Sequence, residues 1–245
     1  TAMSVETKPR YDIGEQVAKD PLVVVVDDFV TPGECKHIMN LAGKKMKRGK
    51  VTLVDEVAYS EGRTGSTAWI PHDQTPIVSA LVRRVSDIVG IPVHHAESLQ
   101  VVHYAESQEY RPHFDAWELD TEKGRNRTAN GGQRMVTALM YLNEVEAGGA
   151  TGFPKLHLEV DPIPGRMVIF HNTKQKRGRN ELHKKSLHGG LPVHYGEKWA
   201  CNLWFRAEPY TRPNKSRGVS HTARRPKGAS KSNRKQQKAA RRRNR

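Results

Sequence analysis

Two stretches before Glu97 carry apolar residues at helical spacing, and from Glu97 onward the pattern changes to β. The run Val23-Val24-Val25-Val26 sits inside a predicted strand over Pro21 to Phe29, after a polar leader of residues 1–20. Thr31-Pro32 reads as an N-cap followed by proline at the first helical position, with Glu34 in the first turn. Cys35, Ile38, Met39, Ala42 and Met46 then form one apolar stripe, which predicts a helix through about Lys47. Val51 to Thr67 reads as strand edges around a glycine-rich loop. Thr75-Pro76 opens a second helix whose stripe is Ile77, Leu81, Val85, Ile88 and Val89. Both helices are expected to be scaffold, packed on the outer face of a sheet.

The second half predicts strands at Leu99 to Tyr104, Gln133 to Leu142, Gly165 to Phe170 and Lys198 to Arg206, rich in β-branched and aromatic residues. Gly, Pro and Asn separate them. Two polar stretches, Asp120 to Gln133 and Thr173 to Lys185, read as surface loops. Many short strands after a mixed start give an α+β class, with a double-stranded β-helix (jelly-roll) core and N-terminal supporting helices. Such a barrel has an open mouth where side chains from different strands converge.

Composition narrows the picture. A chain of 245 residues suffices for one domain with a sizeable core, expected over residues 21–211. No apolar run approaches the roughly 20 residues that span a bilayer, so no membrane segment is expected. The first residues lack a charged-then-apolar targeting pattern. Cys35 and Cys201 give no disulfide framework, and a reducing cytoplasm is the expected compartment. Cys201 alternates with Trp199 and Leu203 and reads as a small core filler.

The net charge of +15 is unevenly spread. Residues 212–245 hold fourteen Lys/Arg and no Asp or Glu, so about +1 remains for everything before them. That basic tail has one valine and no aromatic residue, and is expected to be disordered alone. It suits electrostatic contact with RNA, a ribosome or another polyanion, without aromatics to stack on bases.

The candidate chemistry lies in three residues. Two imidazoles and a carboxylate, His113, Asp115 and His188, can hold one face of an Fe(II) ion and leave the other open for a cosubstrate and O₂. The same ligands accept Mn, Co or Ni. In a strand His113 and Asp115 project to one side, with Phe114 turned away. The second histidine must come from a distant strand. Ten residues beyond His188, Lys198 can pair with the distal carboxylate of a bound dicarboxylic acid.

The order of the surrounding runs is more specific. Leu99-Gln-Val-Val-His-Tyr104, Tyr110-Arg-Pro-His-Phe-Asp115, Gly131-Gly-Gln-Arg-Met-Val-Thr137, Tyr141-Leu-Asn-Glu-Val-Glu-Ala-Gly-Gly-Ala-Thr151, Leu187-His-Gly-Gly-Leu-Pro-Val193 and Gly196-Glu-Lys-Trp-Ala-Cys-Asn-Leu-Trp-Phe-Arg206 follow one another collinearly. Over about Pro21 to Arg206 the chain resembles the catalytic domain of the prolyl 4-hydroxylase family. The resemblance implies a jelly roll, Fe(II), 2-oxoglutarate, O₂ and ascorbate. It also implies hydroxylation of C4 of peptidyl proline, with release of succinate and CO₂. An aspartate ligand, rather than a small residue leaving room for halide, favours hydroxylation over halogenation.

On this likeness Lys198 anchors the C5 carboxylate of 2-oxoglutarate. Tyr104 and Thr137 offer further hydrogen bonds to it, and Asn202 orients the ligands. Tyr110, Arg134 and Trp204 are expected to border the peptide groove, with Glu97 beside them. Arg63 belongs to a loop closing over the peptide. Similar enzymes have Arg-Thr-Ser there, whereas this chain has Gly65 and places Ser66 one residue later. The substrate expected is either a proline-rich, collagen-like repeat or a prolyl site on a ribosomal or RNA-associated protein. Two alternatives stand beside this reading. One is an iron/2-oxoglutarate oxygenase acting on a non-prolyl substrate, against which Lys198 argues because many such enzymes use arginine. The other is a non-catalytic binding module, which would need a broken site.

Overall fold

Four consecutive valines are buried on both sides of one strand, and that arrangement defines the layers. Val23 and Val25 face the inside of a barrel, while Val24 and Val26 face the helices. The computed structural model describes residues 9–48, 50–52, 57–59, 62 and 64–211; Arg63 and the basic segment 212–245 lie outside the described residues.

The main sheet has eight strands in the order Glu15–Lys19, Leu22–Val26, Met167–His171, Arg134–Tyr141, Lys198–Arg206, Leu99–Tyr104, Ser66–Ile70, Lys47–Arg48, and its neighbours pair antiparallel. A smaller antiparallel sheet runs Leu158–Val160, Thr151–Phe153, His188–Gly190, Tyr110–His113. Together they form the two layers of the jelly roll.

Alternation sorts the side chains of the main sheet. Val101, Met140, Ile169, Cys201 and Leu203 belong to the outer core, with Ile38, Leu81, Val82 and Val85 of the two helices. Val102, Leu139, Val168, Phe170 and Ala200 belong to the inner core with Phe153 and Val160 of the smaller sheet. A strand with both faces covered needs apolar residues at successive positions, which is why the valine run is continuous. Cys201 is fully buried in the outer layer.

The helices follow their sequence signals. Pro32–Gly43 starts with a capping box in which the Thr31 hydroxyl accepts from the Glu34 amide and the Glu34 carboxylate accepts from the Thr31 amide. It stops at Gly43 rather than near Lys47, because Lys47–Arg48 already pairs with Ser66–Ile70. Pro76–Val89 is capped by Thr75, and Gly90 ends it in the left-handed region at φ 73°.

Three expectations differ from the fold. The polar leader contains the edge strand Glu15–Lys19, which the lack of apolar alternation hides. Within Asp120 to Gln133 a short helix, Glu122–Thr128, begins where the Thr121 hydroxyl accepts from the Gly124 amide. Its sequence has no apolar stripe, so periodicity cannot reveal it. The stretch Thr173 to Lys185 is a hairpin, Thr173–Lys176 with Arg179–Leu182, followed by a 3-10 turn at Lys184–Ser186.

Candidate functional site

The two candidate histidines are cross-strand partners. His188 and His113 face each other in the smaller sheet, with ring centroids 4.5 Å apart. The strand Tyr110–His113 ends there, so Asp115 lies in the bend just beyond it. Phe114 is not turned away; it lines the same cavity. Asp115 approaches both rings, with Oδ1 3.6 Å from His113 Nε2 and Oδ2 3.5 Å from His188 Nε2. One ligand atom from each of the three residues lies within 4.8 Å of the others.

Each imidazole is oriented by its own backbone. His113 Nδ1 is 3.0 Å from the Arg111 carbonyl, and His188 Nδ1 is 2.9 Å from the Ser186 carbonyl. A carbonyl only accepts, so Nδ1 carries the proton and Nε2 keeps a free lone pair toward Asp115. Tyr110 stacks on His113 at 3.7 Å, and Phe170 packs on His188 at 4.6 Å.

Asp115 is held through one of its two oxygens. Its Oδ2 accepts from the Thr137 hydroxyl at 2.7 Å and from the Trp204 indole at 2.8 Å. Thr137 and Trp204 are directly opposed on neighbouring strands, which explains how they converge. Asn172 donates to the Thr137 oxygen at 2.7 Å. Burial pushes the Asp115 carboxyl up, but His188 and His113 outweigh it and hold it well below the usual carboxylate range. Burial, then His188, lowers the pKa of His113. Two imidazoles and one ionised carboxylate are the donor set a facial iron site requires, so these residues fit Fe(II).

The triad opens into a cavity of about 790 Å³ that Lys198 also lines. Lys198 and Tyr104 are cross-strand partners, and the ammonium lies 5.9 Å from the Tyr104 ring and 5.3 Å from that of Tyr141. The ammonium donates to the Gly149 carbonyl. Burial lowers its pKa to about 7. A buried cation with no ion pair among the described residues invites a carboxylate.

The remaining expectations fall differently. Thr137 is fully buried, is not among the residues that line the cavity, and gives its hydroxyl proton to Asp115, so its expected bond to the cosubstrate is corrected. Thr151, which the sequence reading passed over, is buried on the cavity wall two residues after Gly149. Its oxygen accepts from the Tyr141 hydroxyl at 2.7 Å, which leaves its own proton to donate. The Asn202 amide reaches Gln100 at 3.5 Å and touches none of the three ligands; Asp115 is oriented by Thr137 and Trp204 instead.

Tyr110, Arg134 and Trp204 all border the cavity. Trp204 is 5% exposed, and its ring lies 3.7 Å beneath the Arg134 guanidinium. Trp69, also missed, is 46% exposed on the same wall and 5.9 Å from Trp204. A lone tryptophan in a strand gives no sign of its exposure.

Glu97 does not line the groove. It is 3% exposed and accepts from Arg134 at 2.6 and 2.9 Å and from Arg206 at 2.7 Å. Burial opposes its ionisation, and the two arginines overcome it. Glu97 thus fixes Arg134 over Trp204. Glu97→Ala would leave two guanidinium groups without their counter-charge and is expected to cost about 3–5 kcal/mol of stability, read by denaturant unfolding.

Arg63 lies outside the described residues. The glycine beside its loop has a packing reason: a Cβ on Gly65 would come within 2.5 Å of the Tyr104 ring and 2.6 Å of the His103 carbonyl. The departure from Arg-Thr-Ser thus lets this backbone pass against Tyr104.

An antiparallel double layer with a two-histidine, one-carboxylate site and a buried lysine defines a non-haem iron oxygenase of the 2-oxoglutarate type. Comparison with known proteins agrees. Residues 99–206 match the model of the 2OG-Fe(II) oxygenase superfamily. The chain is 35% identical over 216 residues to prolyl 4-hydroxylase 5 of Arabidopsis thaliana, covering 80% of this chain and 72% of that one. It superposes on the viral collagen prolyl hydroxylase of Paramecium Bursaria Chlorella virus-1, solved as a 2OG complex, with a TM-score of 0.61 and 25% identity over 78% of this chain and 99% of that one. A prolyl hydroxylase from Trichoplax adhaerens, solved with a hypoxia inducible factor peptide, shares the fold at a TM-score of 0.50 and 19% identity, over 75% of this chain and 83% of that one. The chain belongs to the prolyl 4-hydroxylase family.

Proposed function

We propose that this enzyme hydroxylates C4 of proline within an extended peptide segment, with 2-oxoglutarate and O₂ as cosubstrates. The observation that carries this is the single cavity shared by the triad, Lys198 and an aromatic wall of Trp69, Tyr110 and Trp204. An aromatic wall suits the rigid, apolar ring of proline, and a proline-containing chain arrives preformed in an extended helix.

His113, Asp115 and His188 would hold Fe(II), and the Lys198 ammonium would pair with the far carboxylate of 2-oxoglutarate, with Tyr104 and Thr151 as further donors. Iron, 2-oxoglutarate and O₂ supply the oxidation: the keto acid is decarboxylated to succinate, and one oxygen atom goes to the substrate. The protein's part is to hold both reactants in one geometry and to keep competing reactions out. Ascorbate is proposed as the auxiliary reductant.

The test is succinate release together with a mass gain of one oxygen atom on proline. It would use Fe(II), 2-oxoglutarate and ascorbate with a set of proline-rich peptides and ribosomal proteins. Succinate without modified proline would overturn the prolyl assignment in favour of another substrate.

The basic segment 212–245 supports a second contact, with a polyanion such as RNA or a ribosome. Deleting it is expected to weaken association with ribosomes or RNA, the more so at low salt. Unchanged association at low salt would remove this reading.

A further inference from the structure

One lip of the cavity carries cations that form no ion pair among the described residues. The short helix Glu122–Thr128 presents Lys123 and Arg127, one helical turn apart, to the cavity beside Gly124 and Thr121. This helix is anchored. A Cβ on Gly124 would lie 1.8 Å from the Glu118 carbonyl, so the helix sits directly on that turn. Arg206 donates to the Arg127 carbonyl at 2.9 Å, which ties its far end to the barrel.

The acids nearby are already engaged. Glu118 pairs with Lys184, Asp120 with Arg179 at 2.9 Å, and Glu109 with Arg111 at 3.4 Å. Neither Lys123 nor Arg127 makes a side-chain hydrogen bond or ion pair among the described residues. Arg127 is half-buried; burial and then Arg134 lower its pKa, and Glu97 and Tyr210 offset this only in part.

The positive lip continues. Glu118 and Leu182 also line a second cavity of about 410 Å³ under the hairpin Thr173–Lys176/Arg179–Leu182. Its three acids, Glu118, Asp120 and Glu181, are each paired, Glu181 with Lys176 at 3.5 Å. Lys174 and Arg177 have no ion pair among the described residues.

We infer that the substrate of this enzyme carries acidic residues to one side of its target proline, held by Lys123 and Arg127 at the cavity and by Lys174 and Arg177 beyond it. The inference rests on the prolyl hydroxylase reading of the cavity and adds the chemical character of the peptide. An extended chain whose proline sits at the triad would run its flank over the helix and toward the hairpin. Charge-assisted hydrogen bonds from guanidinium groups to carboxylates are the interactions such a lip can make.

The experiment compares three synthetic peptides with one central proline, flanked on a single side by alanine, glutamate or lysine. Hydroxylation and equilibrium binding, by fluorescence anisotropy, are both measured with the full chain. The glutamate peptide is expected to exceed the lysine peptide in kcat/KM and in affinity by about tenfold or more. The double variant K123E/R127E is expected to erase or invert that ratio, while K123Q/R127Q reduces it toward one. Thermal melting checks that both variants fold, and the glutamine variant keeps the test open if the reversed one does not.

A glutamate-to-lysine ratio near one in the native enzyme, or one that persists in both variants, would overturn the inference. If no peptide is hydroxylated but the glutamate peptide still binds more tightly through Lys123 and Arg127, the acidic preference stands and the prolyl reading falls. A single-stranded RNA that needs these two residues, where glutamate peptides do not, would assign the lip to nucleic acid and overturn it.

Discussion

His113→Ala is expected to lose iron and all measurable hydroxylation, while the barrel remains folded. The imidazole supplies one of three candidate protein donors, and its Nε2 faces Asp115 across the site. Altering a residue that merely orients a ligand typically lowers metal affinity or activity by about 10–100-fold, so removing a ligand itself should exceed that. The fold should survive, because His113 ends an outer strand of the smaller sheet and belongs to neither apolar core. Metal content after gel filtration and succinate release decide the matter. Full iron occupancy in the variant would remove His113 from the site. Asp115→Ala should be more damaging to the scaffold, since it strands the Thr137 hydroxyl and the Trp204 indole in the buried floor.

The second large effect concerns Lys198. Its pKa of about 7 is set by burial, and only the charged form pairs with a carboxylate. Below pH 7 the lysine is already an ammonium, and affinity for 2-oxoglutarate should be flat. Above pH 7 a proton must be taken up on binding, and affinity should fall by up to tenfold per pH unit until the pKa of the complex is reached. Calorimetry in buffers of different ionisation enthalpy should record the uptake of close to one proton at pH 8. No proton uptake would place the anchor elsewhere.

Lys198→Met should abolish this dependence and raise KM for 2-oxoglutarate by more than tenfold. Without ligand, the same variant is expected to be more stable than the native protein at pH 6. The sign follows from linkage. The folded pKa lies below the unfolded value near 10.4, so the unfolded state binds more protons between the two values and native stability rises with pH there. The cost of the buried ammonium is greatest below pH 7, and methionine removes it.

The sequence is most legible where chemistry and periodicity coincide. The triad, Lys198 and the two helices are all readable, because capping residues, apolar stripes and metal-ligand residue types are local signals. The partners of Asp115 are not. Thr137 and Trp204 meet at the carboxylate because two strands, distant in sequence, pair in one register, and only the fold states that register. Thr151 was hidden for the same reason: its link to Tyr141 crosses between the two layers. The helix Glu122–Thr128 and the basic hairpin are polar throughout and are held by a cap, a turn and close backbone packing, none of which leaves an apolar rhythm. Glu97 shows the opposite error. A charge at a strand start reads as accessible, yet two arginines from other strands bury it.

The strand Lys198–Arg206 serves two masters. Lys198, Ala200, Asn202 and Trp204 look into the cavity, while Trp199, Cys201, Leu203 and Phe205 fill the helix-facing core. Inserting or deleting one residue would exchange the two sets, placing the anchor lysine among helices and a leucine at the iron. This strand can therefore diverge among relatives by replacement at either set of positions, but its length is frozen. Changes in chain length in this family should instead gather in the polar lip and hairpin, where no such double reading exists.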